Sequence, residues 1–214
     1  MGLESVLSSG LNQLGLNCSL AVQAQLRDYV HLIVKWNRVY NLTSVRDPAE
    51  MVTRHLLDSL AIQPYLQGLR VLDVGCGAGL PGLPLAIVNK EVCPEREFVL
   101  LDSNSKKTRF VQQVIAELGL TNVQVVHERA ENFCPTILFD VVVSRAFASV
   151  VEMLKNSGQH CATDGVLLAM KGTDPDAELR EIPTDFDVDA VHRLKVPGLE
   201  GQRHLVCLKL AGSK

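Results

Sequence analysis

The sequence predicts an α/β fold: a mostly parallel sheet flanked by helices, ending in an antiparallel C-terminal hairpin and preceded by a helical N-terminal extension. Three observations carry that expectation. From residue 69 onward, five short β-rich runs alternate with helical stretches, the pattern of a parallel sheet covered on both faces. Before residue 67, apolar residues recur at helical spacing instead. The tail changes again: Val188 to Val196 and His204 to Leu210 read as two strands joined by Pro197-Gly198-Leu199-Glu200-Gly201.

In the extension, Leu3, Val6, Leu7, Leu11 and Leu14 keep a three-to-four spacing, and Gly15 supplies a stop. Ser19 is placed to cap a second helix, whose stripe is Val22, Leu26, Tyr29, Val30, Ile33, Val34 and Trp36. Asp47-Pro48 starts a third, with Met51, Val52, Leu56, Leu57 and Leu60 facing inward. Residues 1–67 form this extension and residues 68–214 the sheet domain, separated only by a modest break at Gln67-Gly68 and expected to form one compact unit. The strands are expected at 69–74, 97–102, 123–127, 140–144 and 165–171. Helices fall at 105–118 and 149–160, with another opened by Leu80-Pro81.

In an open α/β sheet, ligands lie over the carboxyl ends of the strands, so strand tips carry the chemistry. The first tip is Asp73-Val-Gly75-Cys-Gly77-Ala-Gly79, where alternate glycines let backbone approach a ligand. The second run, Phe98 to Leu101, ends in Asp102, which either faces ribose hydroxyls or caps the following helix. The third tip offers Ala130 and Glu131 to an adenine, or leaves Glu131 as a solvated first-turn acid. At the fourth, Ser144-Arg145-Ala146-Phe147, Arg145 contacts a guanine edge or phosphate, or forms an ion pair. Phe147 stacks on a base or joins the core. A nucleoside-containing cofactor follows. Gly77-Ala-Gly-Leu-Pro-Gly82 also fits the dinucleotide fingerprint, but Asp102 lies 27 positions beyond Gly75, against roughly 20 in that pattern.

Composition bounds the partners. The 214 residues are 47% apolar and 21% charged, with formal net charge −3, so no global cationic field marks a nucleic-acid binder and any such contact needs a local basic face. Candidate cations are Arg46, Arg54, His55, Lys106, Lys107, Arg109, Lys171, Arg203 and His204, and sequence does not show whether they converge. Six cysteines without a C-x-x-C pair read as free thiols of a reducing cytosol. No His or Cys spacing suggests a metal, and Cys76 has no identifiable base. No apolar run approaches 18 residues and MGLESVLSSG lacks a signal-peptide pattern, so a cytoplasmic location without membrane contact is expected.

The Asp73–Gly79 run resembles the first motif of the class I S-adenosylmethionine-dependent methyltransferases, which have a Rossmann-like sheet. The fourth tip lacks the Asn/Asp-Pro-Pro-Tyr/Phe pattern of enzymes that methylate exocyclic amines; an acceptor such as guanine N7 needs no general base, only alignment. HLIVKWNRVYNLTSVRDPAEMVTRHLLDSL, VLDVGCGAGLPGLPLAIV, LLDSNSKKTRFVQQV, VVSRAFAS and LLAMKG together resemble one family over nearly the whole chain: the bacterial 16S rRNA guanine-N7 methyltransferases of the RsmG, or glucose-inhibited division protein B, type. The resemblance implies S-adenosylmethionine as donor, S-adenosylhomocysteine as product, and a single guanine N7 in 16S rRNA or the small ribosomal subunit as acceptor. It implies cofactor contacts at Gly75, Leu80, Ala130, Glu131 and Arg145; Asp73, Gly77 and Gly79 come from the glycine motif and Asp102 from the strand tip. The chain is expected to be a monomer, with Arg145 and Phe147 positioning the acceptor. The competing readings are a methyltransferase of another acceptor, a nicotinamide-dependent oxidoreductase and a non-enzymatic RNA-binding or assembly factor.

Overall fold

A computed structural model describes residues 2–145 and 147–212. Seven strands form one sheet: β1 (Arg70–Val74), β2 (Glu97–Asp102), β3 (Val123–His127), β4 (Phe139–Ser144), β5 (Cys161–Lys171), β6 (Phe186–Arg193) and β7 (His204–Leu210), in the order β3-β2-β1-β4-β5-β7-β6. The first five pair in parallel. β7 pairs antiparallel with both β5 and β6, so the last strand slots inside the hairpin that ends the sheet. The order reverses between β1 and β4, which opens a crevice at the carboxyl ends of those strands.

The helices are α1 (Leu3–Gln13), α2 (Leu20–Tyr40), α3 (Pro48–Met51), α4 (Asp58–Leu60), α5 (Gly82–Val92), α6 (Ser105–Leu118), α7 (Val150–Ser157) and α8 (Asp176–Leu179). Ser19 caps α2 as expected, its hydroxyl accepting from the Val22 amide, and Asp47 caps α3 by accepting from Ala49. The third expected helix is interrupted: between α3 and α4, Val52–Leu57 is a π-helical segment. The inward residues Met51, Val52, Leu56, Leu57 and Leu60 are all buried as expected, and their spacing does not mark the wider turn.

Other boundaries moved for identifiable reasons. β5 starts at Cys161 rather than 165, because Cys161 pairs with Phe139 across a register irregularity in β4. α7 ends at Ser157, and Gly158–His160 tightens into a 3-10 turn instead of completing a helix to 160. β6 runs from Phe186 to Arg193 rather than from 188 to 196; only the Leu194 amide bond to the Arg203 carbonyl continues the hairpin. α8 was not expected at all.

Side-chain alternation along β1 divides the core. Val71 lies in the same buried cluster as Leu26, Ile33, Leu56 and Leu83, so the helical extension and α5 cover one face of the sheet. Leu72 and Val74 join Val142, Leu154 and Leu167 under α7 on the other. Each such side chain, fully buried, contributes about 1.5–3 kcal/mol. Asp73 is therefore on the face that meets the extension, and it is fully buried there.

Candidate active site

Two clefts open at the strand tips, on either side of the end of β4. The first, of about 400 Å³, is lined by Val74, Gly75, Leu101, Asp102, Lys107, Ala130, Glu131, Ser144 and Phe147, together with Ser103, Glu128, Arg129, Glu152 and Asn156. It thus brings together the expected residues Gly75, Asp102, Ala130, Glu131 and Phe147 from four separate tips. Ser144 belongs to the expected fourth tip, whereas Ser103, Glu128, Arg129, Glu152 and Asn156 were not singled out; Glu152 and Asn156 come from α7, and no local pattern marks them.

The glycine run is held from below. The amides of Gly75 and Cys76 both donate to the Leu101 carbonyl, at 2.8 and 3.1 Å, and the Gly77 amide donates to Asp102 Oδ2 at 2.8 Å. Gly75, Gly77 and Gly79 have φ of +70°, +58° and +88°, backbone that only glycine adopts without strain. At Gly75 the direction a Cβ would take is open space, the geometry of backbone cleared for a ligand.

Asp102 stands at the cleft as expected, but it does not cap α6. Its Oδ1 accepts from the Asn104 amide at 2.8 Å, and Asn104 in turn caps the helix through Lys106 and Lys107. The Asp102 carboxylate therefore ties the second strand tip to the glycine loop while bordering the cavity. Ala130 and Glu131 lie in a 3-10 turn; Glu131 is exposed and 3.7 Å from Arg129. Behind them, His160 Nε2 is 2.9 Å from the Ala130 carbonyl. A carbonyl only accepts, so Nε2 carries the proton, and burial lowers the pKa of this ring and keeps it neutral. Phe147 borders the cleft and packs on the second core cluster.

Four expected cofactor residues, Asp73, Gly77, Gly79 and Leu80, are not part of the cavity lining, and Gly77 reaches it only through its amide bond to Asp102. Asp73 is buried, its Oδ2 accepting from the Gly82 amide at 2.8 Å, and burial pushes its carboxyl up to about 7. Leu80 is buried in the core, and Gly79 turns the chain against Leu83. Burial, with Asp73 and Asp102 nearby, also pushes the Cys76 thiol well up, so it keeps its proton.

Sequence reasoning missed Tyr29 as a loop anchor. Its fully buried hydroxyl donates to the Ala78 carbonyl at 2.6 Å, and its ring stacks on Phe110 at 6.5 Å between centroids, so the extension grips the glycine loop directly. Tyr29→Phe keeps the ring and strands a buried carbonyl. The expected loss is about 1–2 kcal/mol in urea unfolding, with cofactor binding weakened roughly five-fold in a calorimetric titration. Unchanged affinity would mean that the bond does not order the loop.

The second cleft, of about 260 Å³, is lined by Val45, Arg54, His55, Asp58, Arg145, Met170, Lys171, Gly172, Leu194, Arg203 and His204. Arg145, expected at the cofactor, opens here instead: its Nη1 is 3.4 Å from Asp58 Oδ2 and 3.2 Å from the Arg54 carbonyl. Five of the basic candidates, Arg54, His55, Lys171, Arg203 and His204, converge in this cleft beside Arg145, whereas Lys107 goes to the first and Arg46, Lys106 and Arg109 border neither. Lys171 is paired with Glu178 at 2.8 Å. His55 Nε2 meets Thr43 Oγ1 at 2.9 Å; burial, with Arg145 and Arg54 nearby, pushes the ring down to about 4, so it is neutral near pH 7. Ala146, between the two clefts in sequence, is outside the described residues.

The first cleft suits a cationic nucleoside. Its volume is in the range of small-ligand sites. Apolar surface from Val74, Leu101, Ala130 and Phe147 can take a base, and four carboxylates face two cations in its lining. That net negative charge would repel a pyrophosphate and attract a sulfonium. Among the described residues, no group of three or more His, Cys, Asp or Glu could hold a metal ion, and no helix is long and apolar enough to cross a membrane.

Comparison with known proteins agrees with this geometry. Among solved structures, the glycopeptide N-methyltransferase MtfA in complex with S-adenosylmethionine superimposes with a TM-score of 0.63 at 14% identity, covering 74% of this chain and 88% of that one. The plantazolicin methyltransferase BpumL in complex with S-adenosylhomocysteine gives 0.58 at 13%, covering 87% and 97%. These likenesses establish the class I methyltransferase fold. The ribosomal RNA small subunit methyltransferase G of Pseudomonas syringae pv. syringae is 49% identical over 203 residues, 95% of this chain and 93% of the relative. That of Pseudomonas aeruginosa is 50% identical over 204 residues, 95% and 94%. The family model GidB, described as rRNA small subunit methyltransferase G, matches residues 22–206. With that match and those relatives, the chain belongs to the GidB family of small-subunit rRNA methyltransferases.

Proposed function

We propose that this protein transfers a methyl group from S-adenosylmethionine to N7 of one guanine in bacterial 16S rRNA, releasing S-adenosylhomocysteine. The observation that carries the reading is the pairing of two clefts across the β4 tip: Ser144 borders an acidic, partly apolar cavity, and its neighbour Arg145 borders a basic one. The family and the names of its members supply the RNA acceptor.

When bound, S-adenosylmethionine supplies an electrophilic methyl on a cationic sulfur. Gly75 clears the floor of the first cleft, Gly77 holds Asp102 at its rim, Asp102 and Glu131 offer acceptors to hydroxyl and amino groups, and Phe147 and Ala130 flank a base. Leu80 and Gly79 act from beneath, by fixing the loop, and Asp73 holds its exit through Gly82. Guanine N7 brings an in-plane lone pair and no proton, so the protein needs no general base. Its task is to align acceptor and donor and to exclude water, which alone can supply several kcal/mol of the barrier. Arg145 and Phe147 are the positioning groups nearest the junction of the clefts. Residues 1–67 act with 68–214 as one unit, through Tyr29, and the reading places a monomer in the cytoplasm.

The test is transfer of labelled methyl from S-adenosylmethionine to 16S rRNA and to intact small subunits lacking the modification, with the labelled base mapped. Label on a single guanine N7 is expected, with binding that weakens steeply as salt rises. Cofactor binding without labelled RNA would hand the reaction to another acceptor.

A further inference from the structure

Asp58 sits at the start of α4 with a side chain only 6% exposed, and it meets two arginines that approach from different parts of the sheet. Its Oδ1 accepts from Arg203 Nε at 2.9 Å and its Oδ2 lies 3.4 Å from Arg145 Nη1. Arg145 follows β4 and Arg203 precedes β7, so one carboxylate from the extension gathers two guanidiniums from the sheet. Backbone carbonyls complete the arrangement: Arg145 Nη1 donates to Arg54 at 3.2 Å, and Arg203 Nη1 to Gln202 at 2.9 Å.

The charge count is uneven. Two guanidiniums share one buried carboxylate, which leaves one positive charge over. Both arginine side chains remain about a quarter exposed, at 24% and 28%, and neither Nη2 group makes a hydrogen bond among the described residues. A guanidinium fork with unused N–H groups and a surplus charge matches a tetrahedral singly charged anion. A phosphodiester would bring the cluster to neutrality, and its place, one residue along from Ser144 at the cofactor cleft, is beside the site of methyl transfer. The two long side chains are fixed before binding, so less freedom is lost when the anion docks.

We infer that Asp58 is a positioning residue that sets Arg145 and Arg203 as a clamp for one phosphodiester of the RNA acceptor. This rests on the RNA methylation reading above. Simple electrostatics and the clamp predict opposite signs for one substitution. Removing a carboxylate from an RNA-binding cleft should tighten binding if charge alone matters. If Asp58 orients the forks, the same change weakens binding even though the chain becomes more basic.

The experiment measures KM for small subunits lacking the modification, together with cofactor Kd, for the full-length wild type, Asp58→Asn, Arg203→Ala and the double variant. Asp58→Asn is expected to raise the subunit KM about tenfold, the scale of one lost charge-assisted contact, with cofactor Kd within about twofold of wild type. The double variant should lose less than the sum of the two single losses, because Asp58 acts in part through that arginine. A role confined to stability would lower the melting temperature without this KM split or this non-additivity. Should Asp58→Asn fail to fold, Arg203→Lys keeps the charge at this partly exposed position and loses the fork, and it too is expected to raise the subunit KM about tenfold. Wild-type RNA methylation with an unchanged or lower subunit KM in Asp58→Asn, or an unchanged one in Arg203→Lys, overturns the clamp alone. A wild-type enzyme that methylates no RNA overturns the reading and the clamp together.

Discussion

Gly75→Val is expected to weaken binding of S-adenosylmethionine and S-adenosylhomocysteine by more than about 100-fold, close to 3 kcal/mol, while the protein still folds. Two facts at one residue give that expectation. The backbone holds φ at +70°, where a β-branched residue is strained by roughly 1–3 kcal/mol. The Cβ direction meets no atom within 4 Å, and the residue lines the first cleft, so the valine methyls project into the space a ligand would use. Gly82 provides the contrast. A Cβ there would lie 2.8 Å from Asp73 Oδ2 and 2.9 Å from Leu100 side-chain atoms, so Gly82→Ala acts on packing and falls on stability first. Titration calorimetry with S-adenosylhomocysteine, beside a melting curve, separates the two. Near-normal affinity in Gly75→Val would place the cofactor somewhere other than over this turn.

That contrast also shows which parts of the site the sequence carries. Glycine at alternate positions after an apolar run is a local signal, because the backbone conformation that needs it is set within a few residues. The parallel strands were legible for the same reason: each is a short buried run, and the expected 97–102 and 123–127 match β2 and β3 to the residue. Whether a strand-tip carboxylate faces a ligand or the protein is not local. Asp102 and Asp73 look alike as acids in or after apolar runs. Yet alternation on β1 turns Asp73 under the loop, while Asp102 reaches the cavity rim. The basic cleft was the least legible feature. Arg145 and Arg203 lie 87 and 145 positions from Asp58, and their meeting depends on a π-helical segment and on a last strand inserted beside β5. Nothing in spacing along the chain encodes such a contact, although both arginines were visible as candidate charged groups.

Asp73→Asn is expected to stabilise the free protein at pH 8 by roughly 3–4 kcal/mol relative to wild type, and by little at pH 4. Burial holds this carboxyl at about 7, against 3.8 in an exposed setting; the Gly82 amide and Arg145 favour the charged form and Asp102 opposes it, but burial dominates. A folded-state pKa raised in this way contributes stability that is complete below about pH 4 and is lost as pH rises through 7. His55 runs the other way: lowered to about 4, it supports the fold above pH 6.5 and ceases to as pH falls through 4. The wild-type curve mixes both trends, so the difference between wild type and Asp73→Asn, from urea unfolding at pH 4, 6 and 8, isolates the aspartate. A difference that does not grow with pH would mean that the carboxyl is ionised at ordinary cost. A carboxylate beneath the glycine loop that is unfavourable in the free protein becomes favourable when a cation binds above it, and binding then releases its proton. Affinity for S-adenosylmethionine should accordingly rise with pH through 7 in the wild type and stay flat in Asp73→Asn. S-adenosylhomocysteine, which lacks the sulfonium charge, should show a smaller dependence in both proteins.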